Sequence, residues 1–207
     1  MTKTIILEKK RSQHTIMQVV LQLLLIILLV SCAGPHPERT KHLSERRGRP
    51  PVSVSELERR IHVLINKERR KHGLSLLEWK ETLTGIARKH SRDMATRNYF
   101  AHNSPEGHDF SHRYKQEGYT CGVRVGRSIY LGAENIALNN LYDSVTTVNG
   151  VAYYDWNSQK KLAETTVQGW MKSPGHRKNI LTPYFKSEGI GVVIAPDDKV
   201  YITQNFC

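Results

Sequence analysis

Residues 189–206, GIGVVIAPDDKVYITQNF, decide the fold class of this 207-residue chain. Two runs, 189–195 and 199–206, are rich in β-branched and aromatic side chains, which favour extended backbone. The Pro-Asp-Asp sequence at 196–198 separates them and is typical of a tight turn. The stretch therefore predicts an antiparallel pair of strands.

Helical patterns come before these strands. From Val54 onward, apolar side chains recur at helical spacing until Gly73, and residues 55–58, SELE, are typical of a capping box. Further helices are predicted over 81–98, 110–118 and 159–172. Because helices precede strands without β-α-β alternation, the sequence predicts an α+β domain.

Two local signals interrupt this pattern. Asn149-Gly150 lies between two β-rich runs, which is the strongest short-range indication of a hairpin, and it predicts a hairpin insertion over 138–158. At 172–181, KSPGHRKNIL, the Ser-Pro-Gly sequence breaks a helix. Ser173 is expected to cap a new helix with Pro174 in its first position, which places His176 in the first turn.

The N-terminal residues carry a targeting pattern. Residues 16–30 are almost wholly apolar and follow a basic stretch, which predicts a signal peptide over 1–31. A membrane-spanning helix needs about 20 apolar residues, and this run is shorter, which favours a signal peptide. The alternative is an uncleaved N-terminal anchor. Residues 29–32, LVSC, resemble the lipobox of bacterial lipoproteins. That resemblance implies lipidation at Cys32 and an exported, membrane-anchored lipoprotein facing the periplasm or the cell exterior.

The segment between this pattern and the domain is unlike a folded region. Residues 33–53 contain four prolines, two glycines and few aliphatic side chains, so they bury too little apolar area to fold alone. We therefore expect a disordered tether over 32–53 and a domain over 54–207.

Cysteine and charge patterns agree with export. Lipidation of Cys32 would leave Cys121 and Cys207 as an even pair, and an oxidising compartment then predicts a disulfide between them. The net charge is +12, but residues 54–207 carry 22 Lys or Arg against 16 Asp or Glu, so half of the excess lies outside the domain. Export argues against nucleic acid as a partner. Anionic lipids, wall polymers or solvent alone fit a basic exported surface better.

Four stretches in one order carry a family resemblance: 98–102 (NYFAH), 132–137 (GAENIA), 170–181 (WMKSPGHRKNIL) and 201–206 (YITQNF). Together they resemble the CAP superfamily of SCP-like extracellular proteins, in its bacterial form, over about residues 57–206. The resemblance implies a three-layer α-β-α sandwich with a central antiparallel sheet and an open cleft. The hairpin of 138–158 would then lie near the cleft rim.

The resemblance also implies the site residues. His102 and His176 match the two cleft histidines, which in the family can hold a divalent metal, often zinc, and Glu134 matches the glutamate of the Gly-Glu-Asn motif. The second glutamate of the family's tetrad has no match, because Glu164 lies at the wrong position. His90 lies on the apolar stripe of its helix and is expected to be a hydrogen-bonded core histidine.

These residues leave the function open between several readings. The preferred one is a module that binds a ligand, a lipid, a wall polymer, another envelope component or a protein in the cleft. The alternative is a metal-dependent, peptidase-like hydrolase in which Glu134 is catalytic and His102 and His176 hold zinc. Two further readings are that the histidines and Glu134 form only a structural hydrogen-bonded cluster, and that the chain is a purely structural adhesion domain.

Overall fold

The predicted helices, the hairpin and the two C-terminal strands occur in the predicted order, together with four strands that the sequence did not predict. The computed structural model describes residues 48–207. Its helices are α1 (Val54–Lys71), α2 (Glu81–Arg97), α3 (Phe110–Gln116), α4 (Gln159–Lys172) and α5 (Pro174–Ile180). Its strands are β1 (Glu78–Trp79), β2 (Val123–Val125), β3 (Ser128–Tyr130), β4 (Ala133–Asn140), β5 (Tyr142–Val148), β6 (Val151–Trp156), β7 (Ser187–Ile194) and β8 (Lys199–Phe206).

The main sheet has the strand order β1-β7-β8-β4. Strands β7, β8 and β4 are antiparallel neighbours, as the C-terminal sequence predicts for β7 and β8. Only the short β1 runs parallel to its neighbour, through two residue pairs with β7. The pairing of β4 with β8 over its full length makes β4 an outer strand, and this strand carries the 132–137 stretch into the sheet.

Helices cover both faces of the sheet, which confirms the α+β fold and its three layers. On one face, α1 and α4 pack against alternate residues of β7 and β8 such as Ile190 and Ile202. On the other face, α2 packs against the intervening positions. The larger core contains fully buried side chains from both helices and the sheet: Leu57, Ile61, Leu162, Trp170, Ile190, Ile202 and Phe206.

The backbone of α2 lies directly on the sheet because two positions of β7 lack side chains. A Cβ atom at Gly189 would lie 2.2 Å from the Thr84 nitrogen, and one at Gly191 would lie 2.1 Å from the Arg88 nitrogen. Real Cβ atoms do not approach other atoms so closely. The Gly-Ile-Gly sequence of β7 therefore sets the distance between α2 and the sheet.

Two separate β-ribbons project from this core. The Asn149-Gly150 turn joins β5 and β6, as the sequence predicts, and both turn residues have positive φ. The ribbon begins at Tyr142, whereas residues 138–140 belong to β4, so the predicted insertion of 138–158 starts a few residues too early. A shorter ribbon pairs β2 with β3.

The start of the domain differs from the sequence expectation. Val52 packs against the main core, and Arg49 Nε lies 2.8 Å from Asp198 Oδ1, so the ordered domain includes residues that were assigned to the tether. The capping residue of α1 is Ser53 rather than Ser55, and its hydroxyl accepts the amide hydrogen of Glu56. Sequence pattern alone could not separate these neighbouring serines.

Glu58, expected in the capping box, is buried in the domain instead. Its carboxylate accepts hydrogen bonds from the Arg88 guanidinium and, at 3.0 Å, from the Val192 amide of β7. It therefore links α1, α2 and the sheet. Only the tertiary arrangement brings these three groups together.

The predicted disulfide joins Cys121 and Cys207, whose Cα atoms lie 5.5 Å apart. Within residues 48–207, no helix combines the length and apolar composition needed to cross a membrane. The predicted signal peptide, the lipidation of Cys32 and most of the tether fall on residues 1–47, outside the described residues, and stay predictions.

Candidate functional site

Glu134 is the centre of the candidate site. It lies on the outer strand β4, and only 1% of its side chain is exposed. His102 Nδ1 lies 3.0 Å from Oε1, and the Arg113 guanidinium donates a hydrogen bond of 2.6 Å to Oε2. Both carboxylate oxygens are thus engaged, and the buried negative charge has a cationic partner.

His102 is fixed at one edge of its ring and open at the other. Helix α2 ends at Arg97, and its C-cap residue Asn98 adopts the left-handed conformation (φ 52°) and leads into the loop that carries His102. Arg113 of α3 also donates to the His102 carbonyl at 3.0 Å, so the same guanidinium holds the loop and the carboxylate. Half of the His102 side chain is nevertheless exposed.

His176 faces the same region from the first turn of α5. The centroids of the His102 and His176 rings are 6.4 Å apart. Burial lowers the pKa of His176, and the nearby His102 lowers it further. His176 is therefore neutral at pH 7, which is the form that accepts a hydrogen bond or binds a metal.

The restart of the helix before His176 occurs as the sequence predicts, but the cap differs. Ser173 occupies the capping position with extended backbone angles and Pro174 begins the helix. The Ser173 side chain makes no capping hydrogen bond, contrary to expectation. Instead, the Arg177 amide bonds the Ser173 carbonyl at 2.8 Å, so proline geometry and this backbone bond start the helix.

A buried chain of amide side chains supports the cleft from below. Asn135 donates to the carbonyl of His176 at 3.3 Å and to Gln204 Oε1 at 3.0 Å. Gln204 in turn donates to Glu188. The other carboxylate oxygen of Glu188 contacts His62 Nδ1 on α1. Polar contacts therefore run unbroken from α1, through the sheet, to the backbone of His176.

Two further side chains satisfy the free edge of β4. Asn179 of α5 donates to the Glu134 carbonyl at 3.2 Å, and Trp170 Nε1 of α4 donates to the Ile136 carbonyl at 3.0 Å. These residues belong to the same sequence stretch as His176. That stretch therefore attaches the α4-α5 corner to the strand that carries Glu134.

His90 is a core residue, as its position on the helix predicts. It is 1% exposed, and its Nε2 lies 3.1 Å from the Ala101 carbonyl and 3.9 Å from Glu134 Oε1. Burial lowers its pKa, and the attraction of the Glu134 carboxylate opposes this shift only in part. His90 thus lies beneath the site as a neutral group that supports the His102 loop.

The structure brings together all three predicted site residues, but with different roles for their atoms. The His102 ring contacts Glu134 through Nδ1 and its centroid lies 6.4 Å from that of His176, whereas each Glu134 oxygen already has a protein partner. No cluster of three or more His, Cys, Asp or Glu side chains arranged to hold a metal is found among residues 48–207. Glu164 pairs with Lys160 on the surface at 3.9 Å, so it supplies no second acidic group to the cleft.

Sequence reasoning missed the residues that hold the site. Arg113 gave no local signal, because one arginine on a short helix resembles any solvated surface cation. Asn135, Asn179 and Gln204 stand within the quoted stretches, and their polar character at strand and helix positions was the available sign. Their partners lie far away in the sequence.

The architecture and this cleft define a domain of the SCP-like class. The model of the CAP family, the cysteine-rich secretory protein family, matches residues 63–206, and the chain belongs to this family. Among curated proteins of Bacillus subtilis strain 168, it is 37% identical over 144 residues to the uncharacterized protein YkwD and 35% identical over 168 residues to the uncharacterized membrane protein YlbC. These alignments cover 69% and 81% of this chain but 45% and 38% of the relatives, so the chain spans less than half of their length.

Solved structures show the same fold. An extracellular protein with an SCP domain from Bacillus anthracis is similar with a TM-score of 0.53 and 28% identity, over 76% of this chain and 44% of that protein. An outer surface protein from Borrelia burgdorferi is similar with a TM-score of 0.54 and 15% identity, over 75% of this chain and 94% of that protein. The second likeness concerns the fold alone.

Proposed function

We propose that this chain is an exported, lipid-anchored CAP-domain protein that binds an envelope component in the cleft between His102 and His176 without chemical turnover. Export is supported by the N-terminal sequence pattern, by the Cys121–Cys207 disulfide and by the extracellular relative from Bacillus anthracis. The lipid anchor is supported by the lipobox resemblance at Cys32.

One observation carries the choice of binding over catalysis: both oxygens of Glu134 are already engaged. A general base needs a free oxygen within reach of the proton that it removes. Arg113 holds Oε2, the His102 ring holds Oε1, and only 1% of the Glu134 side chain is exposed, so neither oxygen is open to a substrate. Glu134 therefore acts as the group that orients His102, and the ligand meets the two imidazoles.

The two rings suit a ligand rich in oxygen atoms. His102 Nδ1 faces Glu134, so His102 offers a ligand its Nε2, whereas the neutral His176 imidazole offers one N–H donor and one acceptor; half of the His102 side chain is accessible from solvent. Sugar hydroxyls, amide carbonyls and lipid head groups all carry matching atoms. We therefore assign the ligand to the lipids or wall polymers of the envelope.

A divalent metal would fit two of the three residues. Metal-binding histidines commonly donate their other ring nitrogen to a carboxylate, and the contact of His102 Nδ1 with Glu134 has this arrangement. His102 and His176 would hold the metal, and the metal would supply Lewis acidity towards ligand oxygens. Glu134 would keep the His102 ring in place.

The test measures binding and turnover on the same protein. Isothermal titration calorimetry with zinc(II), and separately with soluble peptidoglycan fragments, should show binding that falls at least tenfold in His102→Ala/His176→Ala. His108→Ala, which removes an exposed loop histidine, serves as the matched control and should bind as the parent does. Thermal unfolding must show that both variants fold.

Two results would overturn the proposal. Turnover of peptide or ester substrates that disappears in Glu134→Gln would establish the hydrolase instead. Unchanged binding of both probes in the double variant would exclude the cleft as the site and favour a purely structural cluster.

A further inference from the structure

The β2-β3 ribbon and the residue after it form an exposed surface that the cleft does not use. We call residues 123–131 the docking ribbon. Ile129 and Leu131 are 54% and 56% exposed, and Val125 and Tyr130 are also exposed. Most solvent-facing ribbons carry polar side chains at exposed positions, so these apolar side chains indicate a surface that binds a partner.

The register of the ribbon separates its two faces. Val123 pairs with Tyr130, and Arg124 pairs with Ile129. The Val123 side packs inward, because Val123 contacts the cores and the Tyr130 ring lies 4.5 Å from the ring of Tyr184. By alternation, Arg124 and Ile129 lie on the opposite, outward face.

The charge of this region has one sign. Residues 118–133 contain Arg124 and Arg127 but no aspartate or glutamate. Both arginines are exposed, and neither forms an ion pair among the described residues. The ribbon thus combines aliphatic side chains with unpaired cations, which is the composition of segments that lie in the interface of an anionic bilayer.

The ribbon is held firmly at both ends. Cys121, just before it, is joined to Cys207 by the disulfide. Gly132, just after it, has a φ of 105°, and a Cβ atom there would lie 2.5 Å from the Phe206 carbonyl oxygen. Only glycine allows this close approach, so the ribbon leaves the domain in a fixed direction.

We propose that the docking ribbon binds the surface of an anionic phospholipid bilayer. Ile129 and Leu131 enter the interfacial region, and Arg124 and Arg127 bind lipid phosphates. Glu134 follows the ribbon by three residues in the chain. The site is separate from the cleft and rests on the proposed function only for export to an envelope.

Charge argues for a bilayer over a second copy of this chain. Two ribbons that meet face to face would bring four arginines together without a carboxylate between them, and like charges in contact oppose association. An anionic bilayer offers the complementary charge over an extended plane and an apolar interior for the aliphatic side chains.

Vesicle co-sedimentation of residues 48–207 tests the proposal. This unit contains its own cores and disulfide, and it omits the apolar N-terminal run that would bind lipid by itself. We expect binding to vesicles with 30% phosphatidylglycerol in phosphatidylcholine, and little binding to pure phosphatidylcholine. Arg124→Gln/Arg127→Gln should weaken binding about fivefold for each arginine, and Ile129→Ser/Leu131→Ser should also weaken it.

Matched controls change the same residue types elsewhere. Arg59→Gln/Lys67→Gln removes the same charge from α1, and Val148→Ser/Val151→Ser removes exposed aliphatics from the other ribbon. Both should bind as the parent does. The cleft variant His102→Ala/His176→Ala should also bind vesicles normally, which separates this surface from the proposed ligand site.

Three outcomes would overturn the proposal. One is absence of binding to the anionic vesicles. Another is equal weakening in the α1 charge control, which would indicate general attraction by a basic protein. The third is concentration-dependent self-association in analytical ultracentrifugation that disappears in Ile129→Ser/Leu131→Ser, which would make a second copy the partner.

Discussion

Replacing Gly191 by alanine should destabilise the domain strongly, because the methyl group would enter the backbone of α2. The added Cβ would lie 2.1 Å from the Arg88 nitrogen and 2.3 Å from the Ala87 carbonyl carbon. Both are backbone atoms of a helix and cannot rotate away as a side chain does. Helix α2 would have to move by about 1.4 Å from the sheet to restore contacts near 3.5 Å.

The magnitude follows from overpacking. Forcing extra atoms into a packed interior costs typically about 1–3 kcal/mol, and a rigid backbone neighbour places Gly191→Ala at about 3 kcal/mol. For a domain of this size, each kcal/mol shifts the melting temperature by about 2–4 °C. We therefore expect a decrease of about 6–12 °C in thermal unfolding of residues 48–207 with the disulfide intact.

The chain supplies a control of opposite sign. Gly85 lies inside α2, and a Cβ atom there would meet nothing within 4 Å. Alanine favours a helix interior over glycine by about 0.5–1 kcal/mol, so Gly85→Ala should raise the melting temperature by about 1–4 °C. If Gly191→Ala melts at or above the parent, or if both variants shift equally, the close packing of α2 on β7 is refuted.

Three further changes test other parts of the structure. Cys121→Ser/Cys207→Ser opens a loop spanning 86 residues and should lower the free energy of unfolding by about 4.5 kcal/mol, because the unfolded chain gains conformational entropy. Reductant should remove this difference in free energy between the variant and the parent, and a difference that persists would contradict the entropic explanation. Burial lowers the pKa of His90, so below about pH 6.5 the unfolded state binds more protons than the folded state. The free energy of unfolding should therefore fall as the pH falls through that range. His90→Gln should flatten this pH dependence in urea titrations, and an unchanged slope would exclude His90 as its source. Trp170→Phe removes the donor to the Ile136 carbonyl and should destabilise by about 1–2 kcal/mol in urea unfolding, with no change expected if solvent replaced the indole.

Sequence predicted the parts of the fold that depend on near neighbours. The Asn149-Gly150 turn, the amphipathic helices and the paired strands 189–195 and 199–206 all follow from residues close in the chain. The disulfide was predictable because Cys121 and Cys207 are the two cysteines that remain when Cys32 is assigned to lipidation, and thiols pair in an oxidising compartment. These features need no knowledge of the tertiary arrangement.

The missed features depend on distant contacts. Strand β4 carries Glu134 and Asn135 in adjacent positions, so its sequence lacks the alternation that indicates a half-buried strand. Glu58 resembles a helix-capping residue, yet its carboxylate lies against Arg88 and the sheet. In each case a buried polar side chain has its partner in another element, and local propensity holds no information about that partner.

The donors on the free edge of β4 also determine how copies of the domain behave towards one another. Unpaired carbonyls on an outer strand offer a template for a strand from another molecule, which is a common route to aggregation. Asn179 and Trp170 occupy the carbonyls of Glu134 and Ile136, so an incoming strand finds no continuous row of acceptors there. The corner that positions His176 therefore also keeps this edge of the sheet from growing by intermolecular strand addition.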